Sequence, residues 1–185
     1  RELYRPDSGL NVTYDEELGK YIPTSEPDQP ANGVSWQAAS AYTDWLSRET
    51  GQKFRLPTEA EWEVAAKAGE SKNYPWGNDA PNYDKANYNR PEAGTVPVNY
   101  MSEGQNRWGL FHMAGNVAEW CLDWYREDAH QVTGDADPVI SQKPVGQSRP
   151  RKVLRGGSYF APSPEELRVQ RRNRAEPDDQ EPFIG

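Results

Sequence analysis

The chain has 185 residues, of which 21 are Lys or Arg and 29 are Asp or Glu, so its formal net charge is −8. This charge disfavours general binding to nucleic acid or to an anionic membrane, because both repel an acidic protein. The hydrophobic fraction is only 35%, but seven Trp and ten Tyr supply large apolar side chains, which indicates one folded, loop-rich domain rather than a disordered chain.

The first predicted regular element follows an irregular lead-in over residues 1–30, which contains four prolines and keeps no period of 2 or 3.6 residues. A helix of about four turns is predicted to begin after Ser35, a good N-cap, and to end at Gly51. Apolar residues recur at helical spacing between these ends: Ala38, Ala41, Tyr42, Trp45 and Leu46.

A second helix is predicted from the capping box formed by Thr58 and Glu61, and it is expected to end at Gly69. Three of its residues are predicted to face the core: Trp62, Ala65 and Ala66.

Residues 71–109 are rich in Asn, Pro, Gly and Tyr and predict a long loop. Loops of this length are usually functional or held by a bound group such as a metal ion. Four apolar runs then predict short strands: 108–111, 117–124, 153–160, and a last one at Leu167 with Val169.

Several classes of function are disfavoured by what the sequence lacks. No run approaches the roughly 18 apolar residues of a membrane span. Neither the spacings of zinc ligands nor the glycine-rich phosphate loops and nucleophile motifs of common enzymes are found. The single Cys121 excludes an internal disulfide framework and is predicted to be buried and unreactive.

Residues 149–174 carry eight basic residues and two acids, Glu165 and Glu166. The two carboxylates are candidates for proton transfer in a basic cleft, or they form ordinary surface salt bridges. The arginines, in turn, are predicted either to hold an anionic ligand or to neutralise acids elsewhere in the fold.

Five motifs occur in one order, at spacings that resemble the formylglycine-generating enzyme family, also called sulfatase-modifying-factor domains. They are Gly33-Val34-Ser35-Trp36, Arg55 to Glu63 (RLPTEAEWE), Tyr74-Pro75-Trp76-Gly77, Gly109-Leu110-Phe111 with Gly115 to Trp120 (GNVAEW), and Val153 to Tyr159 (VLRGGSY). The resemblance covers residues 31–185. It implies an α+β, C-type-lectin-like fold with two helices, short twisted antiparallel strands and many loops.

The resemblance also implies a copper site that this chain lacks. Oxidising members bind copper through two cysteines after the Arg-Gly-Gly-Ser motif, and those positions are Ala161 and Glu166 here. A tryptophan that the family places near its active groove is Ala118. We therefore expect no copper and no formation of formylglycine.

Calcium, in contrast, is expected as a cofactor. The resemblance implies one site at Asn87 and Tyr88, and a second at Gly115, Val117 and Glu119. At the second site a usual Asn or Asp ligand is replaced by His112, a poor ligand for calcium.

The expected function is a non-catalytic binding or accessory domain, as in bacterial relatives without the cysteines, with a protein or small molecule bound in a groove after Ser158. The residues predicted to line this groove are Ser158, Tyr159, Glu165, Glu166, Arg168 and Arg171. The alternative is a maturation enzyme with different chemistry, as in siderophore formation, for which the candidate catalytic residues are Ser158, Glu165 and Glu166. A third reading is an inactive paralogue that pairs with an active one. The resemblance favours a periplasmic or extracellular location.

Overall fold

The computed structural model describes residues 12–15, 20–23, 28–132 and 138–185. Its architecture is α+β, with short elements joined by long loops. The strands are β1 (Val12–Asp15), β2 (Lys20–Pro23), β3 (Glu119–Trp124), β4 (Lys152–Arg155) and β5 (Asn173–Ala175). The α-helices are α1 (Trp36–Thr50), α2 (Glu59–Lys67) and the single turn α3 (Ala129–Val132), and two 3₁₀ turns cover Ser102–Gly104 and Pro164–Leu167. None of the described helices is long and apolar enough to span a membrane.

The lead-in is not irregular throughout, because β1 and β2 pair as an antiparallel hairpin. Their register places Val12 opposite Pro23 and Asp15 opposite Lys20. The prediction of irregular backbone was wrong here because two four-residue strands are too short to establish a period of 2. The rest of the predicted lead-in, apart from residues 28–30, lies outside the described residues.

Helix α1 has the predicted ends. The Ser35 hydroxyl accepts a hydrogen bond from the backbone N–H of Ala38 at 3.2 Å, and Gly51 ends the helix with φ of +70°. Its apolar face is nevertheless only partly covered, since Tyr42 is 58% and Trp45 46% exposed. Trp36, at the N-terminal end, instead packs against the core.

Helix α2 also begins as predicted. The Thr58 side chain accepts from the backbone N–H of Glu61, whose carboxylate accepts from the backbone N–H of Thr58. Trp62 and Ala66 are buried against Met113, Cys121, Val153 and Val169, while Ala65 is partly buried against the same cluster. The helix therefore fixes one side of the core, on which the sheet rests.

The main sheet has the order β3-β4-β5, and both pairs of strands are antiparallel. The predicted strand over 117–124 is confirmed as β3. The predicted strand over 153–160 is shorter, because Gly156 and Gly157 turn the chain with φ of +87° and +69° after Arg155.

Two strand predictions were wrong. Residues 108–111 form a turn, because the Asn106 side chain accepts hydrogen bonds from the backbone N–H groups of Trp108 and Leu110. The last strand is β5 rather than Leu167 with Val169. Both of those residues are fully buried, Leu167 at the end of a 3₁₀ turn, so their apolar character reflects core packing.

Candidate functional site

A groove of about 710 Å³ lies where the chain leaves β4, and we call it the Ser158 groove. Its floor is formed by small and apolar residues that include Ala118, Ser158 and Ala161. The edge strand β5 contributes all three of its residues to the lining. The lining also includes four arginines: Arg151, Arg171, Arg172 and Arg174.

The floor is shaped by the turn at Gly156 and Gly157. A Cβ on Gly157 would lie 2.8 Å from the carbonyl oxygen of Glu166, so only glycine lets this turn approach the segment that carries Glu166. The turn places Ser158 on the floor, 5% exposed. The Ser158 hydroxyl accepts a hydrogen bond from the backbone N–H of Phe160 at 3.2 Å.

The groove brings together three of the predicted residues: Ser158, Glu166 and Arg171. The Arg171 guanidinium holds the Glu166 carboxylate at 2.9 Å. The other three do not line it. Tyr159 is buried, with its backbone N–H donating to the carbonyl of Asn116, and Glu165 and Arg168 are exposed. Hydrogen bonds from the backbone N–H of Glu165 and the Ser163 hydroxyl lower the pKa of Glu165.

The arginine cluster is divided between structure and surface. Arg155 is 1% exposed and its guanidinium contacts Glu59 at 3.1 Å and Glu63 at 2.7 Å. Arg172 binds the Glu59 carboxylate through two nitrogens, at 2.7 and 2.8 Å. These two arginines neutralise Glu59 and Glu63 of α2, which is one of the two roles that the sequence left open.

The sequence did not predict a pair of stacked aromatic residues in the groove. Phe160 is 52% exposed in the groove and stacks on Phe183 with 5.4 Å between ring centroids. The two residues are 23 positions apart, so no local motif pointed to the pair. The pair gives the groove an apolar surface in addition to its arginines.

The comparisons with known proteins agree with this geometry. Residues 6–185 match the sulfatase-modifying factor enzyme 1-like domain. The chain belongs to this family. It is 35% identical over 151 residues to the formylglycine-generating enzyme of Thermomonospora curvata, covering 74% of this chain and 46% of that enzyme. It is 39% identical over 150 residues to the serine/threonine-protein kinase pkn1 of Chlamydia caviae, covering 80% of this chain and 22% of the kinase.

Among solved structures, PvdO from Pseudomonas aeruginosa superposes with a TM-score of 0.73 at 29% identity, covering 89% of this chain and 63% of PvdO. This neighbour bears out the predicted fold of the formylglycine-generating enzyme family. The chain spans less than half the length of the Thermomonospora enzyme and about a fifth of the kinase.

The two positions that the resemblance matches to copper cysteines both lie in the Ser158 groove, where Ala161 is 7% exposed and Glu166 is held by Arg171. Neither residue has the soft sulfur that copper(I) prefers. The free Cys121 is buried as predicted, and burial raises the pKa of its thiol well above the ordinary range. It is packed in the core with Trp62 and does not line the groove.

At the first implied calcium site, Asn87 is fully buried. Its amide nitrogen donates to the carbonyl of Gly94 at 2.9 Å, but its side-chain oxygen has no hydrogen-bond partner. An unpartnered buried oxygen is the kind of atom that a hard cation satisfies. The backbone of Tyr88 adjoins it, while the Tyr88 hydroxyl donates to the carbonyl of Pro81 at 3.2 Å.

At the second implied site, the Glu119 carboxylate is buried and accepts a hydrogen bond from the indole N–H of Trp62 at 2.6 Å. Burial raises the pKa of Glu119 to about 7. Gly115 lies against the first site, since a Cβ there would be 2.5 Å from the carbonyl oxygen of Asn87. Val117 is buried beside it.

His112 limits this second site. Its Nε2 lies 3.1 Å from the carbonyl of Pro97, which accepts only, so Nε2 carries the proton and the buried Nδ1 has no partner. Among the described residues, no three His, Cys, Asp or Glu side chains cluster around a metal position. The donors present therefore fit calcium only if backbone and amide oxygens complete the coordination.

Proposed function

We propose that this protein is a non-catalytic binding domain of the sulfatase-modifying factor family, with a protein or small-molecule ligand held in the Ser158 groove. The observation that carries the proposal is the replacement of both copper ligands, by Ala161 and Glu166, in a groove that stays open. A site without its thiolates cannot bind copper(I) as the oxidising members do.

The polar groups of the groove support the same proposal. Among the described residues, Ser158 makes no hydrogen bond to a His, Asp or Glu side chain of the kind that activates a nucleophile. The similarity to about a fifth of the pkn1 kinase also supports an accessory role, because there the matching segment is one part of a larger protein.

The second candidate is a maturation enzyme with different chemistry on the same scaffold. The observation that favours it is Glu166, a carboxylate on the groove lining, where a general base would be needed. Arg171 holds that carboxylate at 2.9 Å, so Glu166 would have to release the guanidinium before accepting a proton. This constraint places the enzyme second.

An assay on a cysteine-containing sulfatase peptide tests whether the chain forms formylglycine, which neither candidate predicts. With copper(I) and oxygen supplied, we expect no conversion of the thiol to an aldehyde by mass spectrometry, with the Thermomonospora enzyme as positive control. A ligand that binds the wild-type protein is expected to bind Phe160→Ala more weakly, because this change removes the exposed groove aromatic. The same ligand is expected to bind Tyr42→Ala on α1 with wild-type affinity. Aldehyde formation would overturn the proposal.

We also propose that calcium binds near Asn87 and Glu119 and holds the surrounding loops. Elemental analysis before and after EDTA is expected to find calcium near stoichiometric amounts and no copper. The melting temperature is expected to fall on removal, because a ligand bound only to the native state stabilises it. Glu119→Gln should lose one calcium, whereas Glu49→Gln on exposed α1 should lose none. Equal calcium contents in the two variants would contradict the second site.

A periplasmic or extracellular location accompanies this proposal. Calcium sites of low affinity are filled at the millimolar concentrations outside the cytoplasm. Cell fractionation with an antibody to the full protein tests the location, and recovery with the cytoplasmic fraction would contradict it.

A further inference from the structure

The Ser158 groove continues beyond Arg151 and Arg174. A second cleft of about 890 Å³ adjoins it, and the two share Tyr125, Glu127, Arg151 and Arg174. The second cleft extends from there along residues 144–149. A ligand that leaves the groove on this side therefore passes Arg151 and Arg174.

The charge of the second cleft is positive, although the whole chain is acidic. Its lining contains four arginines and only two acids: Arg126, Arg149, Arg151, Arg174, Glu127 and Asp128. One arginine is fully engaged, since Arg126 binds Asp128 through two nitrogens, each at 2.8 Å. Arg149, which lines only the second cleft, is paired with Glu176 at 3.3 Å. The two remaining arginines, Arg151 and Arg174, lie at the junction with the groove.

At that junction, Arg151 is half-buried and its side chain has no hydrogen bond or ion pair among the described residues. Its backbone carbonyl accepts from the backbone N–H of Tyr125 at 2.7 Å, which fixes the backbone of Arg151 beside that of Tyr125. The Arg174 guanidinium lies over the Tyr125 ring, with its central carbon 4.4 Å from the ring centroid. Its ion pair with Glu127 is long, 3.4 Å, and the Glu127 side chain is 83% exposed. Breaking this pair therefore costs little free energy.

The groove also offers a backbone template. Strand β5 is the edge of the main sheet, pairs only with β4 among the described strands, and lines the groove along its whole length. Extended peptides bind such edges by adding a strand, and pockets for their side chains give specificity. The stacked Phe160 and Phe183 supply an apolar surface in the same groove.

We propose that the ligand of the groove is an extended peptide segment with an acidic side chain, whose carboxylate binds between Arg151 and Arg174. This inference rests on the proposed binding function and adds the chemical class of the ligand. A half-buried guanidinium without a partner is suited to bidentate binding of a carboxylate. A polyanion such as nucleic acid fits less well, because the rest of the chain would repel it.

The test is selection of peptides from a random 12-residue display library on the full chain, followed by fluorescence anisotropy of the enriched peptides. We expect Asp or Glu at a fixed distance from an apolar residue. Arg151→Gln should weaken binding about tenfold or more, as loss of a charge-assisted hydrogen bond implies. The matched control is Arg48→Gln on exposed α1, which should bind like the wild type.

A double-mutant cycle then tests the contact itself. Replacing the peptide's acid with its amide should cost at least as much as Arg151→Gln, because it also removes the contact with Arg174. Arg151→Gln should then add little to the loss measured with the amide peptide. Additive losses would contradict a direct contact. Because the Arg151 side chain has no partner among the residues that the structure describes, Arg151→Gln should keep the wild-type melting temperature, which a thermal melt checks.

The remaining outcomes separate this inference from the proposed function. Enriched peptides without an acid that bind Arg151→Gln normally, but lose affinity for Phe160→Ala, would overturn the inference and leave the groove as the binding site. If free glutamate or inorganic phosphate bound as tightly as the peptides, the junction would be a site for small anions, and the inference would be overturned. Enrichment of no peptide would overturn the inference. Peptides indifferent to Phe160→Ala would contradict the proposed function as well.

Discussion

Lys152 provides a test of how burial and electrostatics are balanced in this fold. Its side chain lies between two indole rings, with Nζ 3.9 Å from the ring centroid of Trp36 and 4.2 Å from that of Trp124. The ammonium donates to the carbonyl of Leu122 at 2.6 Å, and the residue is 3% exposed. Burial lowers the pKa of Lys152 from 10.5 to about 8, and the negative charge of Asp123 opposes this in part.

The expected pH dependence follows from that difference in pKa. Between pH 8 and 10.5 the unfolded chain keeps the proton on this lysine and the folded chain loses it, so the free energy of unfolding rises with pH. The fall of the pKa from 10.5 to about 8 corresponds to ~3 kcal/mol. The penalty acts in full below pH 8 and is gone above pH 10.5.

The measurement is urea unfolding of the wild type and of Lys152→Met at several pH values from 7 to 10.5. The stability of Lys152→Met relative to wild type should fall by ~3 kcal/mol over this range, because methionine fills similar space without a charge. Subtracting the two proteins removes the titration of other groups. The control is Lys53→Met at an exposed position, for which the difference should stay flat. Parallel curves for Lys152→Met would refute the reasoning, and would mean that the two indoles compensate fully for desolvation.

Two further changes test the backbone and the groove. Gly115 and Gly51 both have left-handed φ, +84° and +70°, but a Cβ would meet the carbonyl oxygen of Asn87 at 2.5 Å only at Gly115. Gly51→Ala should therefore cost about 1 kcal/mol of unfolding free energy, and Gly115→Ala about 2 kcal/mol more, as measured by urea unfolding. Similar losses of stability for Gly51→Ala and Gly115→Ala would mean that the left-handed backbone alone explains the loss, without the contact to Asn87. The double change Ala161→Cys and Glu166→Cys should create a copper(I) site of one ion per chain in a competition titration with a chelator, whereas Ala161→Cys alone should not; equal affinities would show that the two positions do not act as a pair.

Helices α1 and α2 were predictable because their signals are local. The cap of α1 joins Ser35 to Ala38, and the capping box of α2 joins Thr58 to Glu61, so each motif lies within four residues of sequence. The end of β4 was harder to place, because it depends on a positive φ at Gly156 rather than on the apolar run that continues past it. The turn at 108–111 likewise depends on one asparagine side chain, which apolar periodicity does not reveal.

The site could be located from sequence but its charges could not be assigned. The family motifs placed the groove after Ser158, and Glu166 and Arg171 do meet there. The partners of the other arginines lie far away in sequence: Glu59 is 96 positions from Arg155 and 113 from Arg172. The net charge of a segment therefore reveals its arginines, but it does not reveal which of them are paired with acids elsewhere in the fold.

That assignment determines what the groove can recognise. Glu59 begins α2, and its backbone N–H is bound by the carboxylate of Asp123 on β3, so the helix start is fixed to the sheet. Its side chain then binds both Arg155 and Arg172, which ties β4 and the segment before β5 to the same helix. Arg172 lines the groove but is committed to this network, and its charge is cancelled there. Arg151, one residue before β4, is outside the network, and this is why the free positive charge lies at the mouth of the second cleft rather than on the groove floor.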